Sequence, residues 1–367
     1  MISHNAGRRM GAKIFNSILP VLLAFLVGAV IILIIGDNPL VTYWQMIRRS
    51  LFSANGITRT LHIAAPMLLA GLAISITFKA NIFNMGVEGQ LVFGGFAAGL
   101  AGFYINDMDP VLLKLVCFGI GALCGMLFAF LPALLRAYFH VDEMVVTLTL
   151  NYAMLKVLEF LSTGPFRDHG SGYVCTPLVQ SGAMFNRMGS TRFTPFVFAA
   201  LALFGIMAFI LKKTKLGYAL NAIGRNPSFA EATGLRTRRT IIIIMLISGA
   251  LAGIAGTGHM LAEKFRYTLD FSGSPGIGWD GMLIALLGRH SPVGILIAGI
   301  FYSMLTTGAD NISMYTDVPN EIVAVIQSLI ILFLAVRFFD ERYGIFSKLG
   351  GRLSRNKTDH GEVSRDA

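Results

Sequence analysis

The sequence predicts an all-α, polytopic membrane protein of about ten transmembrane helices, with inverted repeats and interrupted helices. Three observations lead there. Of 367 residues, 54% are hydrophobic and only 14% charged, where a soluble domain carries roughly 25%. Ten apolar segments follow one another, most of them near the ~20 residues that a helix needs to cross a bilayer. Two polar, Gly-rich leads, Phe83–Gly99 and Ser274–Gly288, each open a helix just after a spanning segment. No room remains for a sizeable soluble domain. Residues 1–367 therefore read as one transmembrane domain, with membrane helices over 14–338, a basic loop over 212–239 and a polar tail over 350–367.

The first apolar run, Ile14–Gly36, follows Arg8, Arg9 and Lys13 as the core of a signal peptide would. It is long for that role and ends at no small-residue cleavage site, so it reads as a retained helix. Thr60–Phe78, Val87–Ile105, Val111–Leu135 and Met144–Leu161 complete the first half. Phe193–Leu211, Thr240–Leu261, Ile277–Gly288, Val293–Gly308 and Ile322–Phe338 form the second. The eighth segment is short and flanked by glycine, as a broken or half helix is. Basic flanks resist translocation, and they fix the orientation. The loop Lys212–Arg239 sets Lys212, Lys213, Lys215, Arg225, Arg236, Arg238 and Arg239 against one acid, Glu231, and so lies inside. Arg136, Arg289 and the tail bases Lys348, Arg352, Arg355 and Lys357 fall on the same side, as do both termini. Asp107, Asp109, Asp310, Asp317 and Glu321 fall outside, and the long loop Ser162–Thr194 is expected to pack over the outer mouth. Arg48, Arg49 and Arg59 also fall outside, against the rule.

The net charge of +10 does not point to nucleic acid, because the bases sit in loops and termini beside apolar segments. Three cysteines form no disulfide framework; Cys117, Cys124 and Cys175 read as inert. The chain has no G-x-x-x-x-G-K-[ST], H-E-x-x-H or C-x-x-C, so neither a nucleotide-hydrolysing loop nor a metal site is indicated, and no cofactor is expected. Gly276–Gly281 fits G-x-G-x-x-G, but no buried strand precedes it and an apolar membrane segment follows. Gly95/Gly99, Gly121/Gly125 and Gly249/Gly253 are spaced for close helix approach. Lys156 and Glu159 stand one turn apart and are expected to pair locally. His62 and His259 read as packed or interfacial.

Two stretches carry the candidate chemistry. Asn84, Glu88 and Gln90 lie between apolar runs beside Gly86 and Gly89, and Trp279-Asp280 occupies the corresponding place in the second half. Polar groups there are costly in lipid and face a cavity or a partner. Two readings stay open: they line a pathway, or they serve structure, with Glu88 pairing with Lys79 or capping the third helix. If helices two to five match seven to ten, the halves are inverted repeats and the solute route runs at their interface. In the basic loop, Lys215–Ile223 forms a short helix with Leu216, Ala219, Leu220 and Ile223 on one face. Gly224–Pro227 breaks it, and Ser228–Thr233 forms a second, closed by Gly234. Such a loop is either a docking surface or a solvated topological anchor.

FNMGVEGQ (Phe83–Gln90), VDEMVVTLTLNYAM (Val141–Met154), GYALNAIGRNPSFAEATGL (Gly217–Leu235) and GIGWDGMLIALLGRHSPVG (Gly276–Gly294) occur in one order. Together they resemble the permease subunits of bacterial ABC importers for sugars, nucleosides and branched-chain amino acids, from about Thr60 to Phe338. LHIAAPMLLAGLAISITFKANI, before the first motif, is most similar to the nucleoside-type, or simple-sugar, branch; the tail Gly350–Ala367 departs from the pattern. The resemblance implies a permease of the bacterial inner membrane that is not itself an enzyme. Its partners would be a second permease, ATP-binding subunits that hold the ATP, and an extracytoplasmic substrate-binding protein. The loop with Ala222, Gly224, Arg225, Asn226, Pro227, Ala230 and Gly234 would contact the ATPase. Its rivals are a self-contained secondary transporter, which requires ion-coupling acids deep in the membrane, and a membrane enzyme, which requires a clustered polar constellation at one face.

Overall fold

The computed structural model describes residues 21–189, 191–268, 275–312 and 321–343. The bases Arg8, Arg9 and Lys13, the start of the first apolar run (14–20), Ser274, Asp317 and the tail with Lys348, Arg352, Arg355 and Lys357 lie outside the described residues. In chain order the helices are α1 (Val21–Ile35) and α2 (Pro39–Leu51), α3 (Ala54–Lys79), α4 (Val87–Tyr104), α5 (Pro110–Phe139), α6 (Glu143–Thr163), α7 (Phe196–Lys213), α8 (Lys215–Arg225), α9 (Pro227–Ala232) and α10 (Thr237–His259). A π-turn, Met260–Lys264, extends α10; α11 (Ile277–Leu287), α12 (Pro292–Ile312) and α13 (Glu321–Tyr343) follow.

Six of these helices are long and apolar enough to cross a membrane, or seven if α1 and α2, which meet at a bend of 116°, form one span. The expected ten are not all found by this measure among the described residues, for physical reasons. Glu88, Gln90 and five glycines dilute the hydropathy of α4. The eighth segment is only 11 residues long, as its glycine flanks predicted. In the last helix the apolar piece among the described residues is Glu321–Ile330. The amphipathic α2 was not expected at all, because Gln45, Arg48 and Arg49 interrupt its apolar run.

Local chemistry sets the ends of the helices. Asp109 accepts from the amides of Val111 (2.9 Å) and Leu112 (3.2 Å), with Pro110 at the first helical position, and so starts α5. His140, left-handed at φ +55°, ends it. Asp142 caps α6 through Met144 N at 2.9 Å. Each cap satisfies amides that have no intrahelical partner.

The chain divides into two compact units, Met1–Gln45 with Ala309–Ala367, and Met46–Gly308. In the first, α1 meets α13 where Gly28 lies against Ile326, and the Tyr43 hydroxyl donates to the Phe25 carbonyl at 2.8 Å. The second unit is built around α10, which packs on α5, α4 and α3, while α11 packs on α3. The α5–α10 contact uses the expected small-residue motifs: Gly121 and Gly125 face Gly249 and Gly253, carbonyl against backbone. Without a hydrophobic force between helices in lipid, such close van der Waals packing drives their association.

Candidate functional site

The first polar lead folds into a closed node halfway along α10. Asn84 donates to Ser248 Oγ (2.9 Å), and Ser248 is the middle residue of α10. Asn84 and Gln90 exchange two amide hydrogen bonds at 3.2 Å, and Asn84 Oδ1 also accepts from Gly86 N at 3.0 Å. From α6, Thr147 Oγ1 accepts from Met85 N (3.1 Å) and Asn151 Oδ1 from Gly89 N (2.9 Å). Asn84, Glu88 and Gln90 are all buried, at 2% exposure or less. Their polar atoms are largely spent on one another and on the backbone, as buried polar groups require.

Glu88 reaches across to the second lead. Its Oε1 accepts from Gly276 N at 2.8 Å and its Oε2 from Gly278 N at 2.5 Å. It therefore caps the start of α11 and brings the two matching segments together. The geometry also explains why G-x-G-x-x-G is a false likeness here: the amides that would cradle a phosphate already donate to a carboxylate. Gly276 stands at φ +77°, and a Cβ on Gly278 would lie 2.7 Å from Glu88 Cα, so the lead admits no side chain there. Trp279 is half-buried over a small void beside Asn84 and Glu88.

Asp280 turns away from this node, toward a cavity of about 300 Å³ that also meets His62, His259, Glu263, Lys264 and Phe196. The Tyr302 hydroxyl donates to Asp280 Oδ1. On the opposite wall His62 Nε2 lies 2.9 Å from Glu263 Oε2, and His62 Nδ1 lies 3.2 Å from Thr194 Oγ1. The π-turn that carries Glu263 and Lys264 closes at Phe265, left-handed at φ +60°. Single π-turns of this kind are frequent at functional sites. Glu263 and Thr194 gave no signal in the sequence: each stands in an ordinary polar stretch at the edge of an apolar segment.

At the far end of α10 sit α8 and α9. Ala219, Leu220 and Ile223 are buried, and Leu216 is half-buried on the same face. Asn226 Oδ1 accepts from Phe229 N at 3.0 Å and Pro227 takes the first helical position, which starts α9. Gly234 follows at φ +86°. A Cβ on Gly224 would strike the Lys79 carbonyl, and Ala230 is fully buried. These two small residues thus make their close approach within the chain. Ala222 is half-buried, Arg225, Asn226 and Pro227 are exposed, and the aromatic rings turned outward are Tyr218 and Phe229, at 68% and 64% exposure. Lys156 Nζ donates to Glu159 at 2.8 Å, the local pair that their spacing predicts.

Residues 56–335 match the family model described as the permease component of branched-chain amino acid transport systems. The chain is 33% identical to the nucleoside ABC transporter permease protein NupB of Lactococcus lactis, over 90% of this chain and 92% of that one. It is 31% identical to the guanosine ABC transporter permease protein NupP of Bacillus subtilis, over 87% and 92%. Against the glucose ABC transporter permease protein TsgB13 of Haloferax volcanii the identity is 30%, over 89% and 88%.

Proposed function

This chain belongs to the family of permease components of branched-chain amino acid transport systems, and from that premise we propose that it forms the translocation path of an ATP-driven importer for a nucleoside or a simple sugar. Relatives of about one-third identity named for nucleoside, guanosine and glucose transport support that solute range. The solute arrives from an extracytoplasmic binding protein and passes between this chain and a second permease. ATP is bound by the partner ATP-binding subunits, whose movement biases the permease between two states. The chain lies in the bacterial plasma membrane with both termini and α8–α9 in the cytoplasm.

One observation carries the coupling role. The helices α8 and α9 bury one face on the chain's own α3, α7 and α10 and present Tyr218 and Phe229 outward. Exposed aromatic rings beside a rigidly seated short helix are the kind of anchor that dominates a protein interface. Phe229→Ala and Tyr218→Ala are expected to leave the chain in the membrane, yet to lower co-purification of the ATPase and solute-stimulated ATP hydrolysis roughly tenfold. Ala230→Trp acts differently: it overfills a buried site and reduces the amount of folded chain. Normal docking and stimulation in both aromatic variants would leave the loop a basic topological anchor only.

A further inference from the structure

The cavity beside α11 has its own chemistry, separate from the closed node around Asn84. Two carboxylates face it, and each is held by one oxygen. Asp280 Oδ1 accepts from the Tyr302 hydroxyl, while Oδ2 has no hydrogen-bond partner among the described residues. Glu263 Oε2 is held by His62 at 2.9 Å, and His62 is itself braced by Thr194. The other oxygen, Oε1, accepts no hydrogen bond among the described residues and pairs only loosely with the Arg192 guanidinium, at 4.0 Å. The cavity therefore offers two oriented acceptors whose rotamers are set before anything enters. Pre-set groups lose less entropy on binding. Lys264, adjacent on the π-turn, also lines the chamber and adds a donor, and Phe196 with Met67 adds apolar surface.

We infer that this chamber is the solute-recognition site of the permease, and that Asp280 and Glu263 determine its specificity by accepting hydrogen bonds from hydroxyl or N–H groups of a donor-rich solute. The inference rests on the importer reading above and adds the residues and the selection rule. Its volume, about 300 Å³, is at the small end of ligand pockets, which suits one nucleoside or one monosaccharide. Hydroxyl and N–H groups of the solute gain charge-assisted hydrogen bonds from these acceptors. A site built to bond a hydroxyl also discriminates against the analogue that lacks it, because its acceptor is left unpaired.

The test uses the whole importer in cells that lack other uptake routes for the probes. Uptake of radiolabelled guanosine, uridine and glucose is measured beside 2′-deoxyguanosine, 2′-deoxyuridine and 2-deoxyglucose, for the wild type, Asp280→Asn and Glu263→Gln. Immunoblotting of membranes normalises for the amount of chain. The binding protein is the same throughout, so a change in the parent-to-deoxy ratio between variants belongs to the permease. Loss of a charged hydrogen bond predicts a fall of roughly ten- to a hundredfold for the transported parent solute. The deoxy analogue falls less than its parent in at least one variant. If Asp280→Asn does not accumulate, Glu263→Gln decides, since its side chain is one-third exposed. Parent and deoxy uptake falling by one common factor, or not falling, overturns the recognition site and leaves the importer reading standing. A wild-type importer that moves none of the three parent probes overturns both.

Discussion

Glu88 meets two backbone amides with two oxygens, at 2.8 and 2.5 Å, and this geometry fixes what a substitution does. Gln has the same length but only one acceptor. In Glu88→Gln the amide NH₂ faces the N–H of Gly276 or Gly278, and one buried donor is stranded. Leaving such a group unsatisfied costs about 1–3 kcal/mol. Glu88→Gln is therefore expected to lower the thermal midpoint of the purified chain and its yield in the membrane. Asn84→Ala removes the link to Ser248 and to Gln90 and has the same sign. Unchanged stability with lost uptake would instead make Glu88 a pathway group. The sequence pointed to these residues because polarity amid apolar runs is rare and expensive. It did not show which way they face. Glu88 finds its partners about 190 residues away, and His62 finds Glu263 201 residues away. Nothing in the spacing of a single chain encodes such pairs.

At the scale of elements, hydropathy located the long spans to within a few residues, and the Gly224–Pro227 break located α8 and α9. It missed α2, whose bases and Gln45 hide an amphipathic helix, and it could not foresee the π-turn, which leaves no pattern in hydropathy. The turn from α11 to α12 shows how an element boundary carries a pH response. His290 stands there at φ +54°, its carbonyl accepting from Ser75 Oγ at 3.0 Å and its ring 5.2 Å from Phe78. Burial, with the Lys79 ammonium beside it, pulls its imidazole from the ordinary 6.5 down to about 4. Between these values the unfolded chain takes up a proton and the folded chain does not. Stability therefore rises with pH across this window, and it is lost as pH falls from about 6.5 toward 4. The thermal midpoint of the purified chain should drop between pH 7 and pH 5. His290→Gln, which cannot titrate, should flatten that slope. A slope identical in the two proteins would assign the acid sensitivity to other groups.

Within the larger unit, the contacts and charges separate two faces. Gly224 of α8 abuts the Lys79 carbonyl, so the C-terminal end of α3 shares a face with the basic loop and with the start of α10. At the other end of α10, Phe185 N donates to the Leu261 carbonyl (2.9 Å) and Gln180 N to the Gly102 carbonyl (3.0 Å). The long loop and the end of α4 thus cover the opposite face, next to Asp107 and Asp109. Between the two faces α4 packs on α10 and α11 on α3. Because basic loops stay in the cytoplasm, the face bearing Arg225, Arg236, Arg238 and Arg239 should be cytoplasmic. Arg48 and Arg49, in the last turn of α2, still oppose this, so the orientation calls for a direct measurement. The native Cys117, Cys124 and Cys175 are first replaced by Ser. In intact cells a membrane-impermeant thiol reagent should then modify Asp107→Cys and spare Arg236→Cys until the membrane is opened; both positions are exposed on the protein. The reverse pattern would put Phe229 and Tyr218 outside the cell. No ATP-driven subunit could then reach them, and the coupling role of α8 and α9 would fall with the orientation.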